Sequence, residues 1–155
     1  MAITTFVSQN LGAKKHDRAR QGARFGILLA VIMTAVIGLL FYILAPQLIG
    51  LFDPTPEVVA FGVRQARTTS LFFGLLAFSH AVAAVCRGAG KAVVPMTIML
   101  SVWCVFRIAY ILTVMRIFGE IVYVYWAYPI TWGISSVIYL IYYLKSNWVY
   151  GFDRP

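Results

Sequence analysis

Acidic residues are scarce in this sequence. Only 12% of its 155 residues are charged, and just five of them are Asp or Glu. None of these five lies within a long apolar run, because Asp53, Glu57 and Glu120 stand at or beyond the ends of such runs. A cation-coupled membrane transporter normally needs a carboxylate inside a membrane span. The chain by itself therefore has no evident proton or sodium site.

Cysteine and catalytic groupings are also scarce. Cys86 and Cys104 lie in or beside apolar runs, without a His or carboxylate cluster that could complete a metal site, so we expect two packed free thiols. No nucleophile, base and orienting group occur together, which argues against an enzyme and a cofactor. Gly88-Ala89-Gly90-Lys91 lacks the spacing and the hydroxyl of a phosphate-binding loop.

Apolar residues, by contrast, make up 61% of the chain, and the mean hydropathy is +0.83. This composition predicts an all-α polytopic membrane protein with one membrane domain over residues 1–155. Four runs are long enough to cross a bilayer, and Arg107 is the one charge inside them. The predicted spans are residues 25–45, 68–86, 92–115 and 121–144. Residues 1–12 read as the end of a helix whose beginning is absent, residues 13–24 as a basic loop, and residues 145–155 as a tail.

The formal net charge of +8 is spread over the ends of these runs, which indicates membrane orientation and not nucleic-acid binding. Nine basic residues fall on one predicted side, against three on the other. The nine are Lys14, Lys15, Arg18, Arg20, Arg24, Arg87, Lys91, Lys145 and Arg154, and the three are Arg64, Arg67 and Arg116. The excess predicts a plasma-membrane protein with both termini in the cytoplasm.

Two polar residues inside the spans are candidates for function. Arg107 either lines a substrate pathway or is a structural residue bonded to carbonyls or hydroxyls of neighbouring helices. His80 could take part in a proton relay. It flanks a stripe of small residues that reaches Gly88, so an interhelical hydrogen bond is the favoured interpretation.

Aromatic residues crowd the first half of the fourth span. Tyr123 and Tyr125 fit an interfacial belt. Trp126, Tyr128 and Trp132 lie deeper around Pro129, which removes a backbone hydrogen bond and could bend the helix around a cavity for flat apolar ligands. At the start of the second helix, Thr55 is placed to cap, followed by Pro56 at the first helical position. At its end, Gly88 or Gly90 is expected to adopt the left-handed conformation that closes a helix.

Four short motifs, in this order, give the chain a family resemblance. They are Gln9-Asn10-Leu11-Gly12-Ala13 before a basic loop, Arg87-Gly88-Ala89-Gly90 at a helix end, the run from Arg107 to Leu112, and Trp126-Ala127-Tyr128-Pro129-Ile130. Together they resemble the C-terminal part of a multidrug and toxic compound extrusion (MATE) transporter.

The resemblance implies a twelve-helix protein in two lobes that exports small cationic or aromatic compounds in exchange for protons or sodium by alternating access. This chain would supply helices nine to twelve, and its partners would be the lipid bilayer and the missing N-terminal lobe helices. Trp126, Tyr128, Pro129, Trp132, Arg107 and His80 would be substrate-pathway candidates, and Gln9, Gly12, Arg87, Gly88 and Gly90 would be motif or hinge residues. The alternative is a free-standing four-helix membrane subunit or regulator that acts through helix–helix assembly.

Overall fold

The computed structural model describes residues 2–150, and within them the chain forms six α-helices. These are α1 (Ala2–Gly12), α2 (His16–Gly50), α3 (Pro56–Ser70), α4 (Phe73–Gly88), α5 (Val93–Ile117) and α6 (Ile121–Lys145), followed by a 3₁₀ turn at Trp148–Tyr150. The predicted all-α architecture is confirmed. Met1 and the last five residues of the predicted tail lie outside the described residues.

Helix α2 is longer than the predicted span at both ends. It begins at His16, so the predicted basic loop at residues 13–24 shrinks to a turn at 13–15. It also continues through Pro46 to Gly50, where the sequence indicated an end. A proline inside a helix removes one hydrogen bond, and the turns on either side maintain the helix here. The outer face of α2 exposes large apolar side chains such as Leu28, Ile32 and Val36, as expected for contact with lipid.

The predicted span at residues 68–86 is broken. Helix α3 ends at Ser70 and α4 begins at Phe73, and the two helices are bent by 50°. Three successive hydroxyls precede the break and donate back to carbonyls of the previous turn: Thr68 to Arg64 at 2.9 Å, Thr69 to Gln65 at 3.0 Å and Ser70 to Arg67 at 3.3 Å. Such back-bonding competes with the helix ladder and bends helices.

The ends of these helices differ in detail from the sequence prediction. Helix α3 begins at Pro56 with Thr55 in the N-cap position, but the Thr55 side chain makes no capping bond. Its backbone N–H instead donates to Asp53 Oδ1 at 2.8 Å, which organises the preceding loop. After α4, Gly90 has the left-handed conformation, with φ of 75°, whereas Gly88 remains helical. Lys14, and not Gly12, has positive φ in the turn after α1.

Residues 2–150 contain three helices that could cross the bilayer and one bent pair that is a fourth candidate. The three helices are α2, α5 and α6, which are each long and apolar enough to cross, and the bent pair is α3 and α4. His16 Nδ1 lies 3.1 Å from the carbonyl oxygen of Val149, so the start of α2 and the end of α6 lie on the same side. Opposite sides would be separated by about 30 Å of hydrocarbon. This contact fits an even number of crossings, which would be reached if the bent pair crosses as one span.

The most completely buried packing lies at this same end of the bundle. Its core residues, each at most 1% exposed, include Val7, Leu11, Val82, Cys86 and Tyr139. Gly88 lets α1 approach closely, because an added Cβ would lie 2.7 Å from the carbonyl oxygen of Thr4. The Tyr139 hydroxyl donates to the carbonyl of Pro95 at 3.2 Å and links α6 to the start of α5.

Three serines join α4 to α6 in the middle of the bundle. Ser79 Oγ lies 3.1 Å from Ser135 Oγ and 3.0 Å from Ser136 Oγ, and all three residues are buried. Ser136 also donates to the carbonyl of Leu75 at 3.0 Å. Hydrogen bonds of this kind hold helices together where lipid offers no competing partner. These hydrogen bonds fix how α6, which carries the aromatic residues, is rotated relative to α4.

Candidate functional site

A π-helical stretch, Leu100–Phe106, interrupts α5 immediately before Arg107. Wide turns of this type are rare and occur frequently at functional sites. This stretch carries Trp103, whose ring lies beneath the Arg107 side chain one turn later. Cys104 belongs to the same stretch and is exposed, whereas Cys86 on α4 is buried as predicted. The expected pair of packed thiols is therefore wrong for Cys104, because α5 has no helix against that face among the described residues.

Arg107 is held by a hydroxyl on the neighbouring helix. Its Nε and Nη2 atoms lie 3.2 and 2.6 Å from Thr131 Oγ1. Thr131 is fully buried and directs its own hydroxyl hydrogen to the backbone, with Ala127 O at 2.8 Å and Tyr128 O at 3.0 Å. The oxygen is therefore free to accept from the guanidinium. This is the structural role that sequence analysis gave as one alternative for Arg107.

Aromatic rings surround the same guanidinium. Its Cζ lies 4.7 Å from the Tyr128 ring centroid and 5.6 Å from the Trp103 ring centroid, within the range of cation–π attraction. Tyr128 in turn contacts Trp132 edge-on, with centroids 6.0 Å apart. We refer to Trp103, Arg107, Tyr128, Thr131 and Trp132 as the Arg107 cluster.

The cluster lies near the middle of two candidate membrane spans. Arg107 is ten residues from the end of α5 at Ile117, and Thr131 is ten residues from the start of α6 at Ile121. At about 1.5 Å per residue, each is about 15 Å from its helix end, roughly half the hydrocarbon thickness. A half-buried guanidinium at this depth is unfavourable against lipid tails, which favours a protein or aqueous surrounding.

The other predicted pathway residues are distributed around the cluster. His80 is exposed and contacts Trp103 edge-on at 5.2 Å between centroids, so the expected interhelical hydrogen bond is replaced by an aromatic contact in the described structure. Trp126 is 44% exposed and lies against Phe72 at the α3–α4 break, 6.0 Å between centroids. Pro129 is buried within a continuous α6.

Sequence reasoning missed two members of the cluster. Trp103 precedes Arg107 by four residues, and Thr131 follows Tyr128 by three. Both spacings place side chains on one helix face, which is the signal that could have identified them. Thr131 was overlooked because a threonine within an apolar span carries no charge and has many ordinary roles.

The motif residues lie at the opposite, basic end. Gly88 is buried against α1, whereas Arg87 and Gly90 are exposed at the turn between α4 and α5. Gln9 and Gly12 are exposed near the end of α1, and Gly12 has open space around it. Gly88 is thus the one of these five residues for which the described structure gives a close approach to α1. A hinge role for them stays a prediction.

Two grooves lie along α1, α2 and α4. One of about 510 Å³ is lined by Thr34, His80, Arg87 and small residues of α2 and α4. The other, of about 500 Å³, is almost entirely apolar and is lined by α1 and by Phe25, Leu29 and Met33 of α2. Both grooves are bordered by the small residue Ala30 of α2.

Residues 2–150 form an all-helical bundle with three to four candidate membrane spans, which defines a multi-pass membrane protein. Comparison with known proteins makes the class specific: residues 1–115 match the MatE family, and the chain belongs to that family. The resemblance inferred from the four motifs is confirmed. The same membership confirms that the chain is not an enzyme.

Two relatives align with nearly the whole chain and a third with 66% of it. The probable multidrug resistance protein YoeA of Bacillus subtilis strain 168 is 28% identical over 148 residues, 92% of this chain and 31% of the relative. The probable multidrug resistance protein NorM of Halalkalibacterium halodurans is 33% identical over 147 residues, 93% of this chain and 31% of the relative. A second NorM, from Thermotoga maritima, is 25% identical over 104 residues. The chain thus spans less than a third of the length of the first two relatives.

Proposed function

We propose that this chain forms part of a multidrug exporter, corresponding to helices nine to twelve of the family's fold, and that substrates pass beside α5 and α6. The observation that carries the proposal is the Arg107 cluster: a charge at middle depth, held by one hydroxyl and enclosed by aromatic rings. Intramembrane charges mark substrate and ion pathways by default. Tyr128 and Trp132 offer flat faces to aromatic compounds.

The coupling cation is expected to bind elsewhere in such an exporter. Among residues 2–150, the acidic side chains are Asp17, Asp53, Glu57 and Glu120, all near helix ends or in loops. Protons or sodium would therefore be bound by carboxylates of the remaining helices, and this chain would supply the wall of the substrate pathway. Cationic compounds would place their rings on Tyr128 and Trp132 and their charge away from Arg107.

The orientation follows from the distribution of basic residues. Lys14, Lys15, Arg18 and Arg20 lie at the end of the bundle that also holds Arg87 and Lys91, and the contact between His16 and Val149 adds the end of α6. The positive-inside rule then assigns this end to the cytoplasm of the cell, and the loop at Asp53 to the outside.

Export can be measured in cells that lack their own drug exporters. The gene is expressed as the 155-residue chain and with any in-frame sequence that lies upstream of it, and efflux of an aromatic dye is followed after energising the membrane. We expect energy-dependent efflux from the longer form, and slower efflux when Tyr128→Leu or Trp132→Leu removes a ring of the cluster. Phe106→Leu is the matched control, because it removes an exposed ring from the residue that directly precedes Arg107. Equal efflux by cluster and control variants would remove the support for this pathway.

A second candidate function is assembly with other membrane helices as a subunit or regulator. The apolar groove along α1 and α2 favours it, because close-packing small residues such as Gly22 and Gly26 border the groove. A stable, stoichiometric oligomer of the 155-residue chain in mild detergent would favour this function, whereas a monomer would count against it.

A further inference from the structure

A polar pocket of about 210 Å³ lies where the start of α2 meets the end of α6. It is lined by Arg20 and Arg24 of α2, by Tyr143 in the last turn of α6, and by Asn147 and Trp148 in the segment that follows. A water molecule takes up about 30 Å³ in the liquid, so the pocket has room for a group of several heavy atoms. We refer to this site as the basic pocket. It shares no residue with the Arg107 cluster and is a separate site.

Contacts within the protein hold the walls of the basic pocket in place. After α6, the chain returns as the 3₁₀ turn at Trp148–Tyr150, which packs against α2. Trp148 and Val149 are each 4% exposed, and the Trp148 ring stacks on that of Tyr143 with centroids 5.5 Å apart. The carbonyl oxygen of Val149 lies 3.1 Å from His16 Nδ1. The pocket is therefore a preformed feature of the fold.

Two positive charges converge on the basic pocket. Arg20 and Arg24 are four residues apart, so they lie on the same face of α2. Both side chains are exposed, and Arg20 lies over the Tyr150 ring, with Cζ 6.0 Å from the ring centroid. Like charges at this spacing repel each other, and an anion between them removes the repulsion. Asp17 is the one acidic residue of α2, and it does not line the pocket. The basic pocket thus favours an anion.

The basic pocket also lies at the ends of two candidate membrane spans, α2 and α6. Arg24 directly precedes the apolar run that begins at Phe25. Leu28, one turn beyond Arg24 on the same face, is 59% exposed, and Leu144 on the pocket wall is 72% exposed. Polar groups that suit a headgroup therefore adjoin apolar side chains that suit acyl chains, which favours a lipid over a soluble anion.

From this arrangement we propose that the basic pocket binds the phosphate of an anionic glycerophospholipid, such as phosphatidylglycerol, in the leaflet at this end of the bundle. Arg20 and Arg24 donate hydrogen bonds to the phosphate oxygens, and the acyl chains lie along Leu28 and Leu144. Arginine suits this ligand because its planar fork donates two parallel hydrogen bonds to a phosphate. Basic pockets between membrane helices are typical sites for anionic headgroups. The inference does not depend on the proposed function, since it requires only that the helices lie in a membrane.

Lipid titrations followed by native mass spectrometry test the proposal on the purified 155-residue chain in mild detergent. The two probes are dioleoyl phosphatidylglycerol and dioleoyl phosphatidylcholine, which share their acyl chains and their phosphate but differ in net charge. We expect the first phosphatidylglycerol to bind at least about tenfold more tightly than the first phosphatidylcholine, because both arginines attract the anion and repel the choline ammonium.

Variants of exposed arginines assign this preference to the basic pocket. Arg20→Gln and Arg24→Gln should each lower it by at least about fivefold. Arg18→Gln is the matched control, because it removes the same charge from the same region of α2 and Arg18 does not line the pocket. It should change the preference by less than about twofold. Arg24→Lys retains the charge without the fork and should give an intermediate preference. Circular dichroism and gel filtration verify that each variant keeps its helices and its monodisperse state.

Four outcomes would overturn the proposal. One is equal binding of the two lipids. Another is a loss in Arg18→Gln as large as in Arg24→Gln, which would show a diffuse attraction to the basic surface. A third is competition by glycerol 3-phosphate at the concentration at which the lipid itself binds, which would indicate a site for soluble phosphate compounds. The fourth concerns Asp153, the one acidic residue beyond the described residues. Binding of phosphatidylglycerol that is at least about tenfold tighter in Asp153→Asn would identify a carboxylate of the chain itself as the occupant.

Discussion

Replacing Thr131 by valine should destabilise the bundle more when Arg107 is present than when Arg107 is absent. Valine has nearly the same shape as threonine, but it removes the one oxygen that accepts from the guanidinium at 2.6 and 3.2 Å. Hydrogen bonds to charged groups contribute about 1.5–3 kcal/mol in general. Interhelical bonds within membranes average about 0.6 kcal/mol and reach about 1.7 kcal/mol. Because the donor here is charged and two of its nitrogens share the acceptor, we expect a coupling free energy of about 1.5 kcal/mol.

A double-mutant cycle isolates this coupling. Thr131→Val, Arg107→Met and the double variant are unfolded in mixed micelles of mild detergent and SDS, with tryptophan fluorescence as the readout. The Thr131 hydroxyl also bonds to Ala127 O, but that loss occurs in both backgrounds and cancels. Thr113→Val is the matched control, because Thr113 makes the same bond to the carbonyl four residues earlier, at 2.8 Å, without an arginine.

The expected pattern is asymmetric. Arg107→Met removes the buried charge with its bonds and should cost less than Thr131→Val, which leaves the charge without its acceptor. A coupling free energy within the additive scatter of about 0.3–0.5 kcal/mol would refute the assignment of Thr131 as the partner of Arg107.

Three further predictions concern the rest of the fold. Gly88→Ala should destabilise the chain by about 1–3 kcal/mol in the same unfolding assay, because the new Cβ would lie 2.7 Å from the Thr4 carbonyl oxygen. Gly133→Ala is the control and should be neutral or stabilising, because Gly133 has open space around it. Ser79→Ala should cost about 0.6–1.7 kcal/mol by loss of its bonds to Ser135 and Ser136, and Ser101→Ala, at an exposed position, should cost less than about 0.5 kcal/mol. The hydroxyl and backbone N–H of Thr55 stabilise the charged form of Asp53 and lower its pKa below the ordinary value of 3.8. The bond from Thr55 to the charged Asp53 carboxylate is therefore fully formed above pH 3.8 and is lost as the pH falls through the lowered pKa. Carboxyl NMR titration should show that the pKa of Asp53 is higher in Thr55→Val. An unchanged Asp53 pKa in that variant would exclude the hydroxyl as a cause.

The sequence predicted well those features that depend on hydrophobicity and on local turn chemistry. Long uncharged runs indicate helices in lipid, because the backbone must satisfy its own hydrogen bonds there. Pro56 indicates the start of α3, because proline at the first helical position lacks only an N–H that would have no partner within the helix. Glycine at position 90 closes α4 because φ of 75° suits a residue without a Cβ.

The features that sequence reasoning missed depend on neighbours in space. Pro46 does not end α2, and the break at residues 71–72 depends on three hydroxyls bonding to the preceding turn rather than on glycine or proline. Cys104 is exposed because no helix among the described residues covers that face of α5, and the sequence of α5 does not show this. The role of Thr131 appears only when α5 and α6 are brought together.

The proposed function depends on the number of membrane crossings and on which side of the membrane each loop lies. It is tested most directly by single cysteines placed at Lys14, Phe52, Lys91 and Phe118 in a background with Cys86 and Cys104 replaced by serine. An impermeant maleimide applied to intact cells should label positions 52 and 118 and leave 14 and 91 unlabelled until the cells are opened. Labelling of position 91 together with 52, and not with 14, would show that α3 and α4 do not cross as one span and would contradict the four-crossing bundle.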